Sequence, residues 1–68
     1  MKFEDFKKEI HYRMAVSHST GIPKFFIDDD KGVFVCFVDG IKFTANSISR
    51  KITAAYNGRK FMFDPLFV

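Results

Sequence analysis

The chain has 68 residues, of which 47% are hydrophobic, ten are Phe, and the formal net charge is +3. This composition excludes a disordered chain, and a domain of this length buries only about 60% of its unfolded surface. A lone cysteine cannot form an intramolecular disulfide, so we expect a reducing compartment, most simply the cytoplasm. The N-terminus lacks a signal-peptide pattern, and no apolar run approaches the roughly 20 residues of a membrane span. The sequence therefore predicts a single small domain over residues 1–68 without a membrane partner.

Residues 3 to about 18 have the periodicity of an amphipathic helix. Its apolar stripe recurs at helical spacing and consists of Phe3, Phe6, Ile10 and Met14. Glu9 and Arg13 are four residues apart, in the orientation that favours an ion pair on a helix. Gly21 and Pro23 then end the helical pattern.

The longest apolar run, residues 33–45, is divided by Asp39-Gly40. Asp-Gly between apolar segments indicates a two-residue hairpin turn, because both central residues of that turn need positive φ. The turn pairs Val38 with Ile41, Cys36 with Phe43 and Phe34 with Ala45, all on one face. With a further strand before the loop at residues 29–32, the sequence predicts an antiparallel meander over residues 24–28, 33–38 and 41–46.

The segment from residue 45 to residue 58 has two interpretations. In the first, Asn57-Gly58 is another hairpin turn, which pairs Tyr56 with Arg59, Ala54 with Phe61 and Ile52 with Phe63. In the second, Ser47 caps a short helix near residues 47–56. We favour the hairpin because its register places all six paired side chains on one face. The predicted fold class is α+β, with an N-terminal helix packed on a twisted antiparallel meander of four to five strands.

Two resemblances to RNA-binding families accompany these patterns. In the helical interpretation, the element order and the entry Ser49-Arg50-Lys51 resemble a double-stranded-RNA-binding domain. The chain departs from that family in its short first hairpin loop and in an additional strand at Phe61. Residues 38–43, Val-Asp-Gly-Ile-Lys-Phe, resemble the glycine-centred hairpin of Sm-like RNA-binding barrels, which follow an N-terminal helix with five bent strands. Either resemblance implies RNA as a partner.

The residues that carry chemistry do not form a recognisable site. His11 and His18 are seven positions apart and lack the spacing of helical zinc ligands, and Cys36 points into the predicted core. The acidic run at residues 28–30 has no EF-hand spacing and fits a solvated hairpin tip. We therefore expect no metal, no cofactor and no catalytic residue, and we expect that the protein is not an enzyme.

One face of the predicted sheet has no assigned cover, because a single helix covers a single face. The sheet closes into a barrel, the apolar tail at residues 66–68 folds over this face, or the face is an interface. The candidate interface residues are Tyr12, Val33, Val35, Phe37, Leu66 and Phe67. A basic rim, or a nucleic-acid-binding set, consists of Lys42, Arg50, Lys51, Arg59 and Lys60.

These observations favour a protein that binds a partner over a protein that catalyses a reaction. We expect a small inhibitor, adaptor or subunit that occupies the surface of a protein partner, and a virus-encoded inhibitor fits this size and this lack of motifs. The alternative is a small basic nucleic-acid-binding domain. The sequence leaves open whether the chain is a homo-oligomer.

Overall fold

The computed structural model describes residues 1–66, in which one α-helix is followed by five β-strands. The elements are α1 (Phe3–Val16), β1 (Lys24–Asp28), β2 (Val33–Val38), β3 (Ile41–Asn46), β4 (Ile52–Tyr56) and β5 (Arg59–Phe63). The strands form one antiparallel sheet in the order β1-β2-β3-β4-β5. The predicted α+β fold is confirmed with five strands. The sheet is open, so the closed barrel that the Sm-like resemblance implies is absent.

The apolar stripe of α1 packs on one face of the sheet, which we call the inner face. Phe6 and Ile10 are fully buried there, while Phe3 and Met14 are partly buried against the same core. The helix ends at Val16, slightly earlier than predicted. The Ser17 hydroxyl donates to the carbonyl of Arg13 at 2.9 Å, an alternative to helical continuation.

The sheet contributes alternate residues of every strand to this core. The buried members are Phe34, Cys36 and Val38 from β2, Phe43 and Ala45 from β3, and Ile52 and Ala54 from β4. Phe3 and Phe6 contact Phe34, with ring centroids 5.3 and 6.0 Å apart, respectively. The inner face is therefore covered by α1 through large aromatic side chains, which compensate for the small size of the chain.

Both predicted hairpin turns are confirmed, together with their registers. Val38 pairs with Ile41 around Asp39-Gly40, and Tyr56 pairs with Arg59 around Asn57-Gly58. The turn residues Asp39, Gly40, Asn57 and Gly58 have φ of +52°, +75°, +49° and +74°, respectively. These values are those of the type I′ turn that the two dipeptides favour.

The alternative helix near residues 47–56 is wrong. The Asn46 side-chain oxygen accepts hydrogen bonds from the backbone N–H groups of Ile48 (2.8 Å) and Ser49 (2.7 Å), which closes a tight turn. β4 follows this turn and pairs with β3 on one side and with β5 on the other. Pairing on both sides gives the backbone of β4 its hydrogen-bond partners and buries Ile52. The segment therefore forms a strand despite the helical preference of its alanines. The element order of a double-stranded-RNA-binding domain is thereby excluded.

Candidate binding surface

The outer face of the sheet, opposite α1, is left uncovered by the helix and by the described part of the tail. The backbone N–H of Leu66 donates to the Glu9 carboxylate, and Arg13 Nη2 donates to the carbonyl of Asp64 at 3.2 Å. Residues 64–66 are therefore held against α1, on the inner side. The alternative in which the tail folds over the outer face does not hold for residues 64–66. Phe67, a predicted interface residue, lies outside the described residues, as does Val68.

Strand register arranges the outer face in transverse rows. One row runs through Lys24, Phe37, Lys42, Ala55 and Lys60, with each residue opposite the next across the strands. Its three lysines are exposed and stand on alternate strands, so neighbouring lysine Cα atoms are about 10 Å apart. We call the three residues Lys24, Lys42 and Lys60 the lysine row.

Two phenylalanines form an exposed aromatic pair beside the lysine row. The rings of Phe26 and Phe37 stack with centroids 5.8 Å apart and planes at 25°. Phe26 is 46% exposed and Phe37 is 44% exposed. The Lys42 ammonium lies 5.8 Å from the centroid of the Phe37 ring, within range of a cation–π interaction. An aromatic centre with cations at its border is therefore present on the outer face.

Further along the same face, the surface becomes less apolar. Val35 stands opposite Phe26 and Thr44 and is only 5% exposed, so it supports the aromatic pair rather than offering contact area. Val33 is half-buried at the border of a shallow depression of about 170 Å³, which Thr44, Thr53 and Asn46 also line. The predicted residues Val33, Val35 and Phe37 thus share one face, but only Phe37 is strongly exposed.

Charge on the outer face changes sign along the strands. Lys24 begins β1 and Asp28 ends it, and both side chains lie on the outer face because residues of equal parity share a face. Asp29 and Asp30 follow in the exposed connection to β2. Along β1, the face therefore has a basic end at Lys24 and an acidic end at the β1–β2 connection.

The other predicted interface residues belong to a separate surface. Tyr12 and Leu66 line an open groove of about 360 Å³ between α1 and β5, together with Val16, Phe61 and Phe63. The groove is on the inner side of the sheet, so it does not join the outer face. The six predicted interface residues consequently divide between two surfaces, with Phe67 undescribed.

The predicted basic rim divides as well. Lys42 and Lys60 join the lysine row, whereas Arg59 pairs with Tyr56 and has the parity of the inner face. Arg50 and Lys51 lie in the connection between β3 and β4, where Lys51 Nζ is 3.7 Å from Asp64 Oδ1.

Two members of the candidate surface, Lys24 and Phe26, are absent from the predicted interface residues and from the predicted basic rim. A four-residue connection that pairs Asp28 with Val33 fixes the register of β1. That register places Phe26 beside Val35 and Lys24 beside Phe37, so extending the predicted hairpin by one strand would have found both.

Within residues 1–66, no group of at least three His, Cys, Asp or Glu side chains is placed to hold a metal ion. Burial raises the pKa of the Cys36 thiol to about 11, so the thiol is protonated at neutral pH and its reactivity is low.

No helix in the described part of the chain has the length and hydrophobicity needed to span a bilayer. Comparison with protein-family models, with curated proteins and with solved structures finds no match for this chain.

Proposed function

We propose that this protein is a non-enzymatic binding module that uses the outer face of its sheet to occupy the surface of a protein partner. The observation that carries the proposal is the exposed pair of Phe26 and Phe37 beside the lysine row. Protein interfaces combine an apolar, aromatic centre with a polar border. On this face the aromatic pair supplies the centre, and the lysines and Asp28 supply the border.

The charge pattern of the face favours a protein over a polyanion as the partner. Asp28, Asp29 and Asp30 form an acidic end that repels a uniformly negative ligand lying along the strands. A protein surface carries both signs, so it can place acidic side chains near the lysine row and basic side chains near the aspartates. The partner we expect has an apolar anchor for the phenylalanine pair and acidic residues for Lys24, Lys42 and Lys60.

The test is affinity capture with matched surface variants. We expect the double variant Phe26→Ser/Phe37→Ser to lose a protein that the unaltered chain captures from its native host. Phe61→Ser is the control, because Phe61 is also an exposed phenylalanine but borders the groove on the inner side. Circular dichroism confirms that each variant is folded. Equal capture by the double variant and by Phe61→Ser would refute the use of the outer face.

A second candidate function, binding of single-stranded nucleic acid, is favoured by the same lysines and aromatic rings. Single-strand-binding proteins stack bases on aromatic side chains and contact the backbone through a positively charged track. Stacking on Phe37 with phosphates at Lys24 and Lys42 fits this mode at the basic end of the face. Phosphate contacts are strongest at low salt.

Fluorescence anisotropy with a labelled single-stranded oligonucleotide distinguishes the two candidates. Binding at low salt that disappears in Lys24→Glu/Lys42→Glu supports the nucleic-acid function. The matched control is Arg50→Glu, because Arg50 is a cation outside the outer face. Absence of binding at low salt eliminates this candidate and leaves the protein partner.

A further inference from the structure

The open sheet leaves β1 as an edge strand with unpaired backbone groups. Within residues 1–66, β1 is the first strand in the sheet order and pairs only with β2. In an antiparallel ladder, hydrogen-bonded and non-hydrogen-bonded pairs alternate, and the pair that flanks a two-residue turn is hydrogen-bonded. Val38 and Ile41 flank such a turn, so alternate residues of β2 face β3 and the others face β1.

This alternation identifies the free groups of β1. Phe37, Val35 and Val33 direct their backbone groups to β1, where they meet Lys24, Phe26 and Asp28. The intervening residues, Phe25 and Ile27, therefore point their N–H and C=O groups away from the sheet. None of the backbone hydrogen bonds outside the strand ladders of residues 1–66 uses these groups.

The sequence of β1 is complementary to itself when two copies run antiparallel. A twofold axis at Phe26 places Phe25 opposite Ile27 of the second copy, and these are the residues with free backbone groups. Each such pair exchanges two N–H···O bonds. The same axis places Lys24 opposite Asp28 of the second copy on the outer face, where directly opposed charges of unlike sign are favourable.

We propose that two copies of this chain associate through their β1 edges, antiparallel and centred on Phe26, so that one continuous sheet runs through both. The free backbone groups and the charges both favour this register. A shift by one residue breaks the agreement, because Phe25 and Ile27 then oppose residues whose backbone groups already face β2. Exposed edge strands are the usual sites of such pairing between chains.

The other edge of the sheet lacks this complementarity. On β5, the free backbone groups belong to Lys60 and Met62 by the same alternation from the Asn57-Gly58 turn. An axis at Phe61 opposes Lys60 to Met62 and Arg59 to Phe63, so no ion pair forms. The pairing also gathers four cations, Arg59 and Lys60 from each copy, whereas β5 itself contains no carboxylate. β1 is therefore the self-complementary edge.

Association through β1 also extends the outer face. The Phe26 side chains of both copies become neighbours at the axis, and each remains stacked on its own Phe37. The association shares Lys24 and Asp28 with the border of the proposed partner-binding face, but its hydrogen bonds come from the backbone of Phe25 and Ile27. Phe37 belongs to β2, so Phe37→Ser alters partner capture without changing the β1 edge.

Charge exchange across the axis tests the proposal. We measure the dissociation constant of the dimer by sedimentation velocity over a range of protein concentrations. Lys24→Asp alone opposes two carboxylates and Asp28→Lys alone opposes two ammonium groups, so each raises the dissociation constant at least about tenfold. The double variant Lys24→Asp/Asp28→Lys restores opposite charges and returns the constant toward that of the unaltered chain.

Two further variants complete the experiment. Ile27→Pro removes a free backbone N–H while leaving the hydrogen bonds between β1 and β2 in place, so it weakens the dimer. Lys60→Asp, which reverses a lysine on the opposite edge, leaves the dissociation constant unchanged. A chain that is monomeric at every concentration overturns the proposal. A dimer that both single charge reversals leave intact overturns it too.

Discussion

Leu66 and Glu9 lie 57 positions apart in the chain, yet the backbone N–H of Leu66 donates a hydrogen bond to the Glu9 carboxylate. Glu9 is fully buried and also accepts a hydrogen bond from Arg13 Nε at 3.1 Å. The guanidinium of Arg13 lies 3.7 Å from the centroid of the Phe63 ring. One carboxylate thus fixes the direction of the chain after β5 and directs it to the helix side.

Replacement of Glu9 by alanine is expected to destabilise the protein. The change leaves the Leu66 N–H and Arg13 Nε without their acceptor, and we expect a loss of about 2 kcal/mol of unfolding free energy. Urea denaturation measures it. The control is Glu4→Ala, because Glu4 is exposed and its oxygen is 3.8 Å from Lys7 Nζ. The control changes stability by less than about 0.5 kcal/mol, and equal losses for both variants would contradict the role of Glu9.

A side chain at position 21 is expected to destabilise the protein, because it would collide with Asp39. A Cβ at Gly21 would lie 2.9 Å from Asp39 Cγ and 3.1 Å from Val38 Cγ2. The Asp39 carboxylate accepts a hydrogen bond from the Ser19 hydroxyl, which limits its freedom to move away. We expect Gly21→Ala to reduce the free energy of unfolding by about 1–3 kcal/mol.

A double-mutant cycle checks the origin of this loss. Asp39→Gly removes the carboxylate and suits the φ of +52° at this turn position. In that background Gly21→Ala should destabilise less, with a coupling energy of at least about 0.5 kcal/mol. Additive effects in thermal or urea denaturation would show that Asp39 is not the obstacle.

Because of Cys36, the free energy of unfolding is expected to depend on pH in the alkaline range. Burial raises the pKa of its thiol from the ordinary value of 9.0 to about 11, because the core disfavours the charged thiolate. Between these two values the unfolded chain has released the proton and the folded chain has not. The contribution of this thiol to the free energy of unfolding is therefore fully present below pH 9. It decreases as pH rises toward 11, by at most about 1.4 kcal/mol per pH unit.

Cys36→Ala isolates this contribution, because the variant lacks only the thiol. Urea denaturation of both proteins at several pH values gives the two slopes. We expect the unaltered chain to lose stability more steeply than Cys36→Ala between pH 9 and pH 11. Parallel curves would show that the thiol keeps its ordinary pKa in the folded chain.

The turn at Asn57-Gly58 is expected to depend on the backbone conformation of Asn57. Asn57 has a φ of +49°, where asparagine and glycine are tolerated and a residue with an ordinary side chain is strained. We expect Asn57→Ala to reduce the free energy of unfolding by about 1–2 kcal/mol. Asn57→Gly, the matched control, keeps the turn and changes stability little. Equal stability of the two variants would contradict a type I′ turn.

Much of the fold was predictable because two dipeptides fix the conformation of their turns. Asp39-Gly40 and Asn57-Gly58 each set a two-residue turn, and alternation along a strand then assigns every neighbouring side chain to a face. The registers on both sides of these turns agreed with the prediction. Local signals left residues 47–56 ambiguous, because a strand between two others gains stability from pairing that no local propensity records.

The candidate surface was less predictable, because it depends on relations between distant segments. The sequence by itself determined that Val33, Val35 and Phe37 share the face opposite the core, since side chains alternate with a period of two. The register of β1 on β2 in the tertiary structure adds Lys24 and Phe26 to that face. Only the tertiary structure buried Val35 and left Phe37 exposed.

The contact between Glu9 and Leu66 likewise has one part that the sequence determines and another that only tertiary packing determines. The spacing of Glu9 and Arg13 predicted their ion pair, because residues four apart are neighbours on a helix. The burial of Glu9 and its hydrogen bond with Leu66 depend on tertiary packing, because the two residues are 57 positions apart in the chain. This hydrogen bond keeps residues 64–66 on the inner side. A local pattern determines which face a side chain occupies, whereas what covers that face is determined by contacts that form only when the chain has folded.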